Sequence, residues 1–215
     1  MHALYAKLKQ GSLDLGLELS DEILTKLLQY QDNLTLWNKA YNLTAIRDPK
    51  EMLVKHLLDS LSIIQSLPAG RMLDVGTGGG LPGFVVAIVQ PERQCVLLDS
   101  NGKKIRFLRQ MTADMKMPNV LPVQARIEDP QTLADLGLFD VVTSRAFASL
   151  SDFVRDCAVY LKPGAVLAAM KGLIPADEMA VLADWQQQTL VLNVPSLDEQ
   201  RHLILLTQKP SHKAE

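Results

Sequence analysis

The stretch Arg71-Met72-Leu73-Asp74-Val75-Gly76-Thr77-Gly78-Gly79-Gly80-Leu81-Pro82-Gly83 decides the fold of this chain. It reads as a short apolar strand, closed by an acid, that runs into a glycine-rich turn with a helix behind it. Residues without a Cβ let the backbone turn tightly and let a ligand come close. The acid then narrows the choice of ligand. A dinucleotide sets its pyrophosphate over such a turn, and a carboxylate two residues before the first glycine repels it. S-adenosylmethionine (AdoMet) presents an ammonium and a sulfonium, which Asp74 attracts. Leu81-Pro82 points the same way, because a phosphate-cradling helix start needs free N–H groups and proline has none.

Working outward, the residues before the turn read as helices. Ser20 suits the N-cap of a helix with Ile23, Leu24, Leu27, Leu28 and Leu34 at helical spacing. Asp48-Pro49-Lys50-Glu51 opens another, with Leu53, Leu57, Leu61 and Ile64 as its apolar stripe, and Pro68-Ala69-Gly70 ends it. After the turn, strands and helices alternate. Strands are expected at 71–75, 94–99, 119–124, 139–144, 164–170, 189–194 and 202–208. Helices are expected at 83–90, 102–116, 130–136, 151–161 and 175–187. This alternation predicts an α/β fold, a seven-stranded mostly parallel sheet with helices on both faces. The chain divides into a helical extension (1–68) packed on a single core unit (69–215), with a frayed tail from Pro210.

With 215 residues the chain can bury a sizeable core. No apolar run approaches the ~18 residues that span a bilayer, and Lys7 and Lys9 are not followed by the apolar stretch of a signal peptide. Cys95 falls in a strand and Cys157 in a helix, so both are expected buried and reduced, as in cytoplasm. A net charge of −2 excludes a generally basic nucleic-acid binder and leaves local patches to do any such work.

Asp99 closes the second strand about 20 residues past the turn, where doubly wound folds hold a ribose hydroxyl pair. The same carboxylate, before Ser100-Asn101-Gly102, also fits a helix cap. The third strand ends in Ala125-Arg126-Ile127-Glu128-Asp129, where the backbone of Ile127 and the Glu128 carboxylate face an adenine edge or merely favour a helix start. Gly78 to Gly83 also satisfies GxGxxG, and Asp99 serves NAD as well as AdoMet. An NAD(P)-dependent oxidoreductase is therefore the rival reading; it needs a hydride-partner site such as a Tyr-x-x-x-Lys pair, and no such pair is expected.

The residues after the fourth strand narrow the choice of methyl acceptor. C5 methylation of a pyrimidine needs an accessible cysteine, and neither cysteine is so placed. Exocyclic-amine transfer uses an Asn/Asp-Pro-Pro-aromatic loop, whereas this chain has Arg145-Ala146-Phe147-Ala148-Ser149. An arginine and an aromatic suit holding and stacking a base. Guanine N7 carries an in-plane lone pair and no proton, so its methylation needs alignment rather than a general base. Lys103, Lys104, Arg106 and Arg109 project from the helix after Asp99, as a substrate patch or as a solvated face. Arg126, Arg145, Arg201 and His202 fall near strand ends; no metal-ligand spacing occurs.

Several motifs in one order carry a resemblance over nearly the whole length: Trp37–Thr44 (Trp-Asn-Lys-Ala-Tyr-Asn-Leu-Thr), His56–Ser60 (His-Leu-Leu-Asp-Ser), Asp74–Gly78, Leu81-Pro82-Gly83, Leu98-Asp99-Ser100, Ser144–Ala148 and Arg201-His202. The chain resembles the bacterial RsmG (GidB) family, AdoMet-dependent methyltransferases of the class I, Rossmann-like fold. The resemblance implies methylation of N7 of guanine 527 in 16S rRNA, with the rRNA or the 30S subunit as partner, no DNA and no membrane, and a cytoplasmic monomer. It places cofactor contacts on Gly76, Leu81, Ile127, Glu128 and Arg145, to which the residue reading adds Asp74, Gly78 and Asp99. It places substrate-side cations on Lys103, Arg126, Arg145 and Arg201, with Arg145 as the catalytic candidate. The family's turn carries proline or alanine where this chain has Gly79, which loosens it slightly. A non-catalytic AdoMet-binding ribosome-assembly protein is the second rival.

Overall fold

The computed structural model describes residues 2–145, 147 and 149–209. Ala146 and Ala148 of the Ser144–Ala148 motif, and the tail from Pro210, lie outside the described residues. Helices α1 (Tyr5–Asp14) and α2 (Asp21–Tyr41) come first. Ser20 caps α2, its side chain accepting from the Ile23 N–H at 3.3 Å. Asp48 caps α3 (Pro49–Met52) from the Lys50 N–H at 3.1 Å, with Pro49 in the first turn. The helix then widens to π geometry over Leu53–Leu58 and ends as α4 (Asp59–Leu61).

Strands β1 (Met72–Val75), β2 (Cys95–Asp99), β3 (Val120–Gln124), β4 (Phe139–Ser144) and β5 (Leu161–Lys171) alternate with α5 (Gly83–Val89), α6 (Gly102–Asp114), α7 (Pro130–Leu136) and α8 (Leu150–Cys157). After β5 come α9 (Ala176–Ala180), β6 (Trp185–Val191) and β7 (His202–Gln208). The seven strands form one sheet in the order β3-β2-β1-β4-β5-β7-β6. β1 to β5 are mutually parallel and β7 runs antiparallel to β5 and β6.

Alternation along the strands sorts side chains to two cores. Met72, Leu97 and Val141 join α5, α6 and the N-terminal helices on one face, while Leu73, Val75, Leu98 and Val142 join Leu150, Phe153 and Tyr160 on the other. The N-terminal helices therefore share a core with the sheet: Tyr30 of α2 stacks on Phe84 of α5 with ring centroids 4.9 Å apart. Both cysteines are buried and free.

One expected element is corrected. The helix expected over 175–187 is helical only at Ala176–Ala180, and Trp185–Val191 is strand β6, paired from Trp185↔Gln208 to Val191↔His202. Trp185, Gln187 and Thr189 are half-buried while Gln186 and Gln188 are exposed, a period of two that the glutamine run hides from a propensity reading. The expected strand at 189–194 is accordingly displaced towards the N-terminus.

Candidate functional site

The carboxyl ends of the strands carry two cavities, one on each side of the β1–β4 boundary. The first, about 380 Å³, lies over β1, β2 and β3 and is lined by Val75 and Gly76, by Leu98, Asp99 and Ser100, by Ala125 to Glu128, and by Phe147, Asp152, Arg155 and Asp156. Gly76 brings the start of the glycine turn to its wall, and the turn is held from behind by hydrogen bonds of its own. The Gly83 N–H donates to Asp74 Oδ2 at 2.8 Å and the Thr77 hydroxyl to the same oxygen at 2.6 Å. A Cβ on residue 83 would sit 2.7 Å from that oxygen, so only glycine lets the helix start close onto the acid. Tyr30 of α2 donates to the Gly79 carbonyl at 2.6 Å, clamping the turn from the helical extension.

Asp74 therefore stands behind the cleft wall rather than on it. It is fully buried, Oδ1 has no hydrogen-bond partner, and burial pushes its pKa up to about 6 against the pull of Thr77, Gly83 and Arg145. Its first duty is to hold the turn, and its charge acts on a ligand through the backbone it organises. Asp99 lines the cleft itself. Its Oδ2 accepts from the Gly78 N–H at 2.9 Å and its Oδ1 from the Asn101 N–H at 2.8 Å, and Lys104 Nζ lies 3.6 Å from Oδ2. The N-cap of α6 is Asn101, whose side chain accepts from the Lys103 N–H, so Asp99 is not itself the cap. Each carboxylate oxygen keeps a lone pair for a ribose hydroxyl. Ile127 and Glu128 line the cleft, but the Ile127 carbonyl already accepts from Tyr160 Oη at 2.8 Å. Leu81 is buried and lines neither cavity; Gly78, with φ +63°, shapes the turn. These residues fit AdoMet: an open turn, and carboxylates at Asp99 and Glu128 where a ribose and an amine-bearing base need acceptors.

The second cavity, about 420 Å³, lies over β4, β5 and the start of β7. Its polar walls come from Lys55, Arg145, Lys171 and Arg201, from His56, and from two carboxylates, Asp59 and Glu199, the latter 2.8 Å from Lys55 and 2.7 Å from Arg201. Asp59 is its hub. Arg145 Nη1 lies 3.3 Å from Asp59 Oδ2 and Arg201 Nε 3.3 Å from Oδ1. The π turn adds an anchor: the Asp59 N–H bonds the Val54 and His56 carbonyls, leaving the Lys55 carbonyl without its i+4 donor, and Arg145 Nη1 donates to it at 3.1 Å. Burial raises the Asp59 carboxyl although both guanidiniums pull it down. Burial, reinforced by Arg145, lowers His56 to about 4, so its imidazole is neutral. Its Nε2 lies 2.9 Å from Thr44 Oγ1 and its Nδ1 has no partner.

The structure thus brings Asp99, Arg126, Ile127 and Glu128 together at one cavity and Arg145 and Arg201 at the other. Lys103 is exposed and lines neither. Phe147 lines the first cavity, with its ring centroid 5.1 Å from that of Phe153, rather than joining Arg145. Sequence reasoning passed over Tyr30, Asp152 and Arg155, read Lys104 only as one of the cations on α6 and not as the partner of Asp99, and gave Asp59 no role beyond its place in the His56–Ser60 motif. For Asp59 a signal existed: an acid inside the apolar run Leu57, Leu58, Leu61. The expectation that no Tyr-x-x-x-Lys pair occurs is corrected: Tyr5 and Lys9 have that spacing, but on α1, where Tyr5 hydrogen bonds and Lys9 ion-pairs with Asp21, and neither lines the cleft.

Comparison with known proteins bears on this geometry. The family model for rRNA small subunit methyltransferase G (GidB) matches residues 23–204. Ribosomal RNA small subunit methyltransferase G of Acinetobacter baumannii (strain ATCC 17978) is 65% identical over 96% of this chain and 99% of its own length. The same-named protein of Acinetobacter baylyi is 64% identical over 97% of this chain and 99% of its own. A solved structure described as a putative AdoMet-dependent methyltransferase of Methanococcus maripaludis shares the fold, with TM-score 0.58 at 12% identity over 86% of this chain and 94% of that one. With a family match across most of its length and the Rossmann-like methyltransferase sheet to carry it, this chain belongs to the rRNA small subunit methyltransferase G (GidB) family.

Proposed function

We propose that this member of the family methylates N7 of guanine 527 in 16S rRNA, acting as a cytoplasmic monomer on the rRNA or the 30S subunit. AdoMet supplies an electrophilic methyl carried on a sulfonium. The observation that carries the reading is the pairing of two cavities at one end of the sheet, on either side of the β1–β4 boundary: a cleft with Asp99 and Glu128 on its wall, and a cavity where four cations outnumber the carboxylates of Asp59 and Glu199. Asp99 and Glu128 hold the donor's ribose and base by charge-assisted hydrogen bonds. Arg145 faces the acceptor side and orients the guanine, through the O6 edge for which a guanidinium is shaped. Positive charge moves onto the base as N7 attacks, so Arg145 works by alignment rather than attraction. Lys103 and Arg126, exposed at the carboxyl ends of β2 and β3, and Arg201 meet phosphates.

Incubation of 30S subunits, and separately of naked 16S rRNA, with radiolabelled AdoMet tests this. Label on a single guanine of either substrate is the expected result, and whichever substrate takes it names the partner. Absence of label from both, with AdoMet bound tightly, would establish the non-catalytic assembly reading instead.

A further inference from the structure

The second cavity holds more than two arginines. Among the described residues five buried side-chain polar atoms have no hydrogen-bond partner, and two of them, His56 Nδ1 and Asp59 Oδ1, belong to residues lining this one cavity. A buried polar atom left unpaired costs free energy, and a cluster of them calls for a ligand that pairs them. Arg201 Nε neutralises Asp59 Oδ1 at 3.3 Å without aligning as a hydrogen bond. His56 has only the adjacent Lys55 backbone to offset the loss. It is 4% exposed, held by Thr44 at one nitrogen and unpaired at the other.

The acceptor atom sets a second constraint. In paired RNA, guanine N7 lies in the deep, narrow major groove that proteins cannot enter. An enzyme that reaches it must act on an unpaired nucleotide or turn the base out of its stack. We propose that the cavity over β4, β5 and β7 receives the acceptor guanine, taken out of its stack, and that His56 determines specificity by hydrogen bonding to that base through Nδ1. The assignment rests on the guanine-N7 reading above and adds the seat of the base and the residue that reads it. A neutral imidazole offers one donor and one acceptor nitrogen, and guanine presents N1–H and the 2-amino group as donors and O6 as acceptor, so either tautomer finds a partner. Arg145, on the β4 side of the same cavity, lies towards the methyl donor. Gly172 also lines the cavity, and a Cβ there would meet nothing nearer than Arg201 Nη1 at 3.7 Å.

The test uses full-length protein and 30S subunits, in four readouts. Wild-type protein must first place label on a guanine of unmodified subunits; failure there removes the guanine reading itself. Subunits that keep guanine at the acceptor position and carry 2-aminopurine at the adjoining nucleotide then report unstacking, and a fluorescence rise on adding wild-type protein with the demethylated cofactor is expected. His56→Leu should slow single-turnover methylation roughly tenfold to a hundredfold, with AdoMet affinity within about twofold of wild type. His56→Gln, which keeps a donor and an acceptor, should recover part of that rate. Gly172→Leu should fill the cavity, keep AdoMet affinity, and abolish both the fluorescence rise and methylation. If wild type methylates the subunits but 2-aminopurine stays dark, or if His56→Leu and Gly172→Leu methylate at the wild-type rate, the base is seated elsewhere and the proposal is wrong. Should His56→Leu fail to fold, the wild-type fluorescence and Gly172→Leu still decide.

Discussion

The cleft over β1, β2 and β3 and the cavity over β4, β5 and β7 share one edge of one sheet, yet they are built from opposite materials. The cleft is assembled from short consecutive blocks at strand ends: Val75-Gly76, Leu98-Asp99-Ser100 and Ala125 to Glu128. Its donors and acceptors are locked into local turns, as in the bonds of Gly83 and Thr77 to Asp74. The cavity is assembled from residues far apart in sequence; Arg145 and Asp59 are separated by 86 positions. Its polar atoms are held by ion pairs and by a π turn, and some are left unpaired. A locally built, tightly bonded cleft suits a cofactor of constant shape. A cavity with unpaired groups suits a substrate that completes it.

That contrast has a titration signature, and it carries the largest expected effect. Asp74, behind the cleft, and His56, in the cavity, are both buried, but their shifts act in opposite directions. The Asp74 carboxyl, raised from 3.8 to about 6, binds its proton more tightly in the folded protein, so its contribution destabilises as pH rises from about 4 to 6. The His56 imidazole, lowered from 6.5 to about 4, binds its proton more tightly in the unfolded chain, so stability is lost as pH falls from about 6.5 to 4. Each window is worth on the order of 3 kcal/mol. Denaturant melts at pH values of about 4, 5, 6 and 7 should show Asp74→Asn gaining on wild type as pH rises and His56→Leu gaining as pH falls. Parallel slopes in the two variants would erase the distinction.

Arg145 sharpens the comparison in rate rather than stability. Arg145→Ala should slow single-turnover methylation about 100-fold, the cost of a misplaced reactant, and lower AdoMet affinity far less. Arg145→Lys should recover little, because an ammonium lacks the planar fork that bonds Asp59, the Lys55 carbonyl and a base edge together. A lysine variant as active as wild type would make the residue a mere charge. Across the boundary, Asp99→Ala should weaken AdoMet binding by ~1–3 kcal/mol in calorimetry. NAD should bind more weakly than AdoMet to the wild-type protein, since the helix start that would cradle a pyrophosphate is already spent on Asp74.

The smallest expected effect lies outside both cavities. Charge reversal at Lys103 and Arg106 on α6 should weaken RNA binding and reduce the slope of log affinity against log salt by roughly one for each phosphate no longer neutralised. AdoMet affinity should stay at the wild-type value. An unchanged slope would assign that helix face to solvent alone.

The two regions also differ in how far they could be read in advance. The glycine turn, Asp99 and the β3 end were legible because each lies in a short block whose period and composition fix its place at a strand end. The strand–helix alternation was legible for the same reason up to β5. Beyond it the chain turns back antiparallel, and Trp185–Val191 owes its strand state to pairing with β7 rather than to local preference. The cavity was the less legible half. Arg145 and Arg201 stood out as cations near strand ends, but nothing local announces that Asp59 gathers both, or that a π turn frees the Lys55 carbonyl. Asp74 was legible as an acid and misjudged in place, because its burial behind Thr77 and Gly83 is a product of α5 closing onto β1.

The claim that joins the two regions is that a methyl passes from the cleft to N7 of a guanine held in the cavity, with no proton to remove. It is tested most directly on 30S subunits reconstituted with 7-deazaguanosine at the acceptor position, which keeps the base's other edges and replaces N7 by carbon. Subunit binding at the affinity of unmodified particles, with methyl transfer abolished, is the predicted result. Methyl transfer to that nucleotide at an undiminished rate would show that another atom is the acceptor and would contradict the account.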